Sequence, residues 1–157
     1  MRTAAVMNLK GGVGKSTTAI NMALILSQVH GKEVLLVDND FQAAVTKFFE
    51  KHSYEKPSME DVLNNPILWA GDVIVASGRE RLDIIPANMN LVSAADALMM
   101  DQNAQQMERI RNVLEQVQEE YDYCIIDCHP GVGIEGLNAL AAADDIIIPI
   151  KADKNAL

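Results

Sequence analysis

The chain is short of aromatic residues: Phe, Trp and Tyr make up 4% of its 157 residues. Its core must therefore be built from Val, Ile, Leu, Ala and Met, within a hydrophobic share of 49% that is ordinary for a globular protein. Basic residues are also in deficit, with 13 Lys and Arg against 22 Asp and Glu, a net charge of −9. Nucleic-acid binding rests on Lys and Arg neutralising phosphates, so the balance argues against a standing basic surface. A local patch, or one supplied by a dimer or a partner, stays open. Long apolar runs are missing too: "VLLV" and "IIIPI" fall far short of the ~20 residues that a membrane-crossing helix needs, and no membrane association is expected from them. The start, Met1 and Arg2, then a short apolar run, then Asn8, Lys10 and glycines, lacks the form of a secretory signal. Only two cysteines occur, Cys124 and Cys128. On one strand they would lie about 13 Å apart at ~3.3 Å per residue, too far for a disulfide. They read as reduced core residues of a cytoplasmic protein.

What is present is alternation. "TAAVMNL" (Thr3–Leu9) is a short apolar run that stops at glycines. From Lys15 to Val29 apolar residues recur at helical spacing, and Gly31 is a natural stop. "EVLLVDND", "RLDIIPAN", "YDYCIIDCHPG" and "DDIIIPIKAD" are continuous apolar runs, the form taken by strands covered on both faces. Between them, Asn103–Glu120 carries Met107, Ile110, Val113, Leu114 and Val117 on one stripe, and Ile134–Ala143 is an Ala-rich helix candidate. Ser58 with Asp61 resembles a capping box. Strands alternating with helices predict one α/β domain over residues 1–157, with a mostly parallel sheet and flanking helices. Ligands bind such sheets beyond the carboxyl ends of the strands. Lys10–Thr17, Asp38–Gln42 and Asp127–Gly133 all fall there.

Strand, glycine turn, Lys-Ser, helix is the P-loop arrangement. Gly11, Gly12 and Gly14 permit backbone geometries that let consecutive N–H groups, that of Val13 included, point at one anion. The helix adds its positive end. Lys15 would reach the β- and γ-phosphates, the Ser16 hydroxyl would ligate Mg²⁺, and Thr17 would donate to the α-phosphate. The dinucleotide pattern G-x-G-x-x-G fits this glycine spacing worse. "KAD" at Lys151–Asp153 is like the guanine-reading N-K-x-D, but Ile150 stands at the asparagine place, which favours ATP over GTP.

The strict motif wants glycine where Leu9 stands, and Lys10 follows. In this departure "KGGVGKST" resembles the deviant Walker A motif of the ParA/MinD family of nucleotide-dependent dimerising ATPases. The resemblance implies a P-loop NTPase-like fold, ATP and Mg²⁺ as cofactors, and an ATP-dependent homodimer. In it Lys15 serves its own subunit's nucleotide and Lys10 reaches the phosphates held by the other. "VLLVDNDFQAAVTKFF" resembles the family's D-x-D-P-Q segment, with Phe41 in place of proline. By that analogy Asp40 positions the attacking water, and Asp38 supports the Mg²⁺ shell or the loop. "YDYCIIDCHPG" resembles the family's Walker B segment, commonly D-x-P-P. There Asp127 would stand near Mg²⁺, while His129 replaces a proline. "LDIIPANMNLVSAADAL" also matches a recurrent family stretch.

Family members usually continue well past the point equivalent to Leu157, so the chain is expected to be the N-terminal part of a longer domain. By resemblance, the later part carries adenine contacts and, in partitioning members, a surface for nonspecific DNA. "D-F-Q" and "IPAN" favour the ParA branch, in which a centromere-binding ParB-like protein triggers slow hydrolysis and moves plasmid or chromosome cargo. The alternatives are a MinD-type membrane-associated positioning ATPase, and a nucleotide-dependent scaffold that no longer hydrolyses.

Overall fold

The computed structural model describes residues 1–101 and 106–152. Strand β1 (Arg2–Val6) leads through the glycine turn into α1 (Lys15–Leu24), which runs on as a π-helical turn, Ile25–Val29. There follow β2 (Val34–Asn39), α2 (Ala44–Phe48), α3 (Met59–Asn64), α4 (Ala70–Val73), β3 (Val75–Arg79) and β4 (Leu82–Ile85). Then come α5 (Leu91–Met100), α6 (Arg109–Glu115), β5 (Tyr123–Cys128), α7 (Ile134–Ala142) and β6 (Asp145–Ile147). The strands form one sheet in the order β3-β4-β2-β5-β1-β6. All neighbours run parallel except β3 and β4.

The continuous apolar runs are explained by burial on both faces. Successive strand residues point to opposite sides. Val34 and Leu36 of β2 accordingly join a core layer with Ile20 and Ala23 of α1. Leu35 and Val37 join the other layer, with residues of α3, α5, α6 and α7. All four β2 side chains are fully buried. Cys124 and Cys128 sit in that second layer as free, buried thiols. No described helix is long and apolar enough to cross a membrane.

Local signals hold at α3. The Ser58 N–H donates to Asp61 Oδ2 at 2.8 Å, and the Glu60 N–H donates to Ser58 Oγ at 3.3 Å, closing the capping box. Elsewhere tertiary contacts redraw the boundaries. The helix expected over 103–120 is regular only at Arg109–Glu115 and continues as turns; Asn103 lies outside the described residues. Ile110, Val113, Leu114 and Val117 are buried as the periodicity demands, but Met107 is 49% exposed. The cause is Asn138 on α7, whose Oδ1 accepts the Arg109 N–H at 2.9 Å while its Nδ2 donates to the Gln106 carbonyl at 2.8 Å. This cap comes from another helix, so no pattern within the segment announces it. Strand β3 also escapes the sequence: "VASGR" lacks a strand's alternation and pairs as a bulged antiparallel edge. At the opposite edge, β6 is three residues long and Ile146, Ile148 and Ile150 are largely exposed, where the pattern implied a buried strand. Asp153, the last residue of the "KAD" stretch, lies outside the described residues.

Candidate functional site

Strands β1, β5 and β2 are adjacent, and their carboxyl ends bring three loops to one rim. Asp127 of β5 stands in register with Val6 of β1 on one side and with Asp38 of β2 on the other. All three predicted segments meet here.

The first loop is anchored at its entry by Asn8. Its Nδ2 donates to the Pro149 carbonyl at 2.9 Å, and its Oδ1 accepts the Lys10 N–H at 2.9 Å. Gly12 (φ 73°) and Gly14 (φ 91°) adopt the left-handed region that side chains resist. A Cβ added at Gly11, Gly12 or Gly14 would meet no atom within 4 Å, so the turn borders open space. Gly14 leads directly into α1, which has no side-chain cap and no acidic residue in its first turn. Its opening N–H groups and positive end are thus left for an anion. Lys15 is 7% exposed and folds back across the turn, its ammonium donating to the Lys10 carbonyl at 3.3 Å. Lys10, Val13 and Ser16 are half-buried on the same turn, and Thr17 is exposed.

In the second loop the two acids differ. Asp38 is fully buried and committed to α2: its Oδ2 accepts from the Thr46 N–H at 2.8 Å and from the Thr46 hydroxyl at 2.6 Å. Thr46 Oγ1 in turn accepts the Ala87 N–H at 2.8 Å, so one hydroxyl ties the exits of β2 and β4 together. Burial pushes the Asp38 carboxyl up to about 6, against the Thr46 bonds that favour its charged form. Asp40 lies nearer the surface, with Oδ1 accepting the Gln42 N–H at 2.8 Å. Sequence reasoning missed Thr46. A threonine in a stretch whose sequence shows no clear periodicity carries no mark of a buried bond to an acid eight residues earlier.

In the third, Asp127 is fully buried and, among the described residues, neither carboxylate oxygen has a hydrogen-bond partner. The Ser16 hydroxyl is close enough to favour its charge without reaching hydrogen-bond geometry. Burial pushes the Asp127 carboxyl up to about 7; Ser16 opposes that, Asp38 and Asp40 add to it, and Lys15 draws it back. A buried carboxylate without partners is costly, and a divalent cation would relieve it. One carboxylate beside one hydroxyl is a hard-oxygen set that suits Mg²⁺, which keeps several waters and takes further oxygens from phosphates. The residues present therefore fit the ion.

A pH dependence follows. If Asp127 ligates Mg²⁺ it must do so as the carboxylate, so Mg²⁺ affinity should rise from pH 6 to pH 8 and level off above. Calorimetry near pH 7 in two buffers of different ionisation heat should register proton release on Mg²⁺ binding. Without the cation the sign reverses. A carboxyl raised in the folded state stabilises the fold below the ordinary carboxylate range, and that contribution is lost as pH climbs through about 7. Asp127→Asn should flatten both profiles.

Known proteins share this chain's pattern. Residues 1–157 match the family described as an AAA domain. The sporulation initiation inhibitor protein Soj of Bacillus subtilis is 38% identical over 98% of this chain and 59% of its own length. The chromosome partitioning protein ParA of Myxococcus xanthus is 37% identical over 99% of the chain and 54% of its own. Among solved structures, cobyrinic acid a,c-diamide synthase from Mycobacterium smegmatis, with bound ATP analogue and magnesium, superposes with a TM-score of 0.89 at 33% identity. That match covers 100% of this chain and 63% of the synthase. The chain thus spans little more than half the length of the curated relatives it matches. With its glycine turn, its two lysines and its three acids on one parallel-sheet rim, the chain belongs to the AAA-domain family, as a ParA/MinD-type P-loop ATPase.

Proposed function

We propose that this chain is the ATP- and Mg²⁺-binding part of a ParA-type partitioning ATPase, a switch that dimerises on ATP and releases on hydrolysis. The single observation that carries the reading is the Asp127 carboxylate, buried and unpartnered beside the glycine turn and Ser16. The chromosome partitioning ParA relative supports the partitioning role, and the synthase with its ATP analogue and magnesium supports the ligands.

Each residue then has a task. The backbone N–H groups of Gly11 to Ser16 hold the phosphate oxygens, and Lys15 neutralises the β- and γ-phosphates. Ser16 and Asp127 would hold Mg²⁺, and the bound ion would supply positive charge to offset that developing on the phosphates. Thr17 donates to the α-phosphate. Asp38 keeps the β2 loop in place through Thr46, behind the Mg²⁺ shell. Asp40 orients the water for in-line attack. Lys10 lends its ammonium to the nucleotide of the second subunit, which ties turnover to assembly. In the whole protein, the partners are nonspecific DNA and a centromere-binding ParB-like protein.

The test is Lys10→Ala in the full-length protein. ATP should still bind the monomer. Sedimentation should show no ATP-dependent dimer, and turnover should fall by about a thousandfold, the scale of a lost trans cation. Normal dimerisation of the variant would refute the cross-subunit role.

A further inference from the structure

Two residues set this site apart from the motifs it resembles, Phe41 in the second loop and His129 in the third, and they touch. Their ring centroids are 4.2 Å apart, with planes inclined at 41°. Gly131 borders the imidazole as well: its φ is 145°, and a Cβ placed there would lie 3.6 Å from His129 Cδ2. The His129 N–H donates to the Asn39 carbonyl at 3.2 Å, which fixes the start of the loop against the end of β2. So held, the ring turns Nδ1 toward Asp40 Oδ1, 3.4 Å away. The His129 side chain is 24% exposed and that of Asp40 10%, so water competes little for this contact.

Asp40 is held on one side only. Oδ1 accepts the Gln42 N–H and faces His129 Nδ1, while among the described residues Oδ2 accepts no hydrogen bond. A carboxylate fixed through one oxygen presents the other in a defined direction, which is what orienting a water requires.

We propose that His129 is a positioning residue: braced by Phe41, it donates its Nδ1–H to Asp40 Oδ1 and aims Oδ2 at the attacking water. The assignment rests on the hydrolytic reading above for its consequence, but its geometry stands independently. It demands a particular tautomer. Which ring nitrogen bears the proton is set by the bond the ring makes, and an acceptor-only carboxylate at Nδ1 requires the proton there.

The experiment uses the full-length protein and two readouts. Steady-state ATP hydrolysis should show kcat about tenfold lower in His129→Ala, the loss of roughly one charge-assisted hydrogen bond, with KM for ATP unchanged. His129→Gln should behave like alanine, because its amide reaches the Nε2 place. His129→Asn puts an N–H donor where Nδ1 stood and should recover most of the rate. Phe41→Leu should lower kcat less, and should add little to His129→Ala because its effect passes through the ring. The second readout is the ¹⁵N spectrum of the His129 imidazole in the nucleotide-free protein, which should show the Nδ1–H tautomer in wild type and its loss in Asp40→Ala.

An Nε2–H tautomer in wild type, or a rate unchanged by His129→Ala, or asparagine as slow as alanine, would overturn the proposal. A wild-type protein that binds ATP and shows the Nδ1–H tautomer, yet turns over no nucleotide, would instead overturn the hydrolytic reading and leave the His129–Asp40 bond standing.

Discussion

Replacing Lys15 by alanine in the full-length protein is expected to weaken MgATP binding by about two to three orders of magnitude. The physical reason is where the side chain already sits. Lys15 is almost completely buried, yet among the described residues its ammonium has one bond, at 3.3 Å to a carbonyl of the same turn. An ammonium has three donors, so two remain for phosphate oxygens, and each charge-assisted bond contributes about 1.5–3 kcal/mol. Removing it also strips the phosphates of the cation that stands at the start of α1. Titration calorimetry with ATP and a non-hydrolysable analogue would measure the loss. Lys15→Met, which keeps most of the buried stem, should be as defective as alanine while melting close to wild type. Tight MgATP binding by either variant would mean that the glycine turn and the helix end suffice, and that Lys15 is no more than a packed surface lysine.

The second large effect concerns Asp40. Asp40→Ala should leave the affinity for MgATP within about twofold of wild type, because the carboxylate lies on the β2 loop and not on the glycine turn. Turnover should fall by about a hundredfold or more, the scale of losing a group that acts on the reacting water. With dimerisation intact and hydrolysis lost, ATP should then trap the dimer, visible as a stable species in light scattering. Asp38→Ala should behave differently. Its carboxylate is bonded to Thr46, and through the Thr46 hydroxyl to Ala87, so its removal leaves buried donors unpaired and should show first as lost stability. The two acids are two residues apart and equally acidic on paper; their neighbours separate them.

The glycine turn was legible because its logic is local. Gly12 and Gly14 are needed where φ is positive, Lys15 and Ser16 follow at once, and α1 needs no cap if an anion is to supply one. The same holds for β2 and β5, whose unbroken apolar runs announce strands covered on both faces, and for the capping box of α3. Less was legible where a distant residue acts. Asn138 sets the start of α6 from α7, and β3 becomes a strand only because β4 offers an edge.

By itself, the order of residues determined an α/β chain with a phosphate-binding turn, two lysines upon it and three acids at strand ends, since each depends on spacing within some ten positions. Only the tertiary structure decided how those acids divide the work. The strand order β2-β5-β1 sets Asp38 beside Asp127, yet Asp38 turns to Thr46 while Asp127 accepts no hydrogen bond among the described residues. It also brought Phe41 and His129, 88 positions apart in the chain, into one ring contact against Asp40. The reason is physical: a side chain's partner in a sheet is chosen by register and crossover, which are properties of the whole packed core.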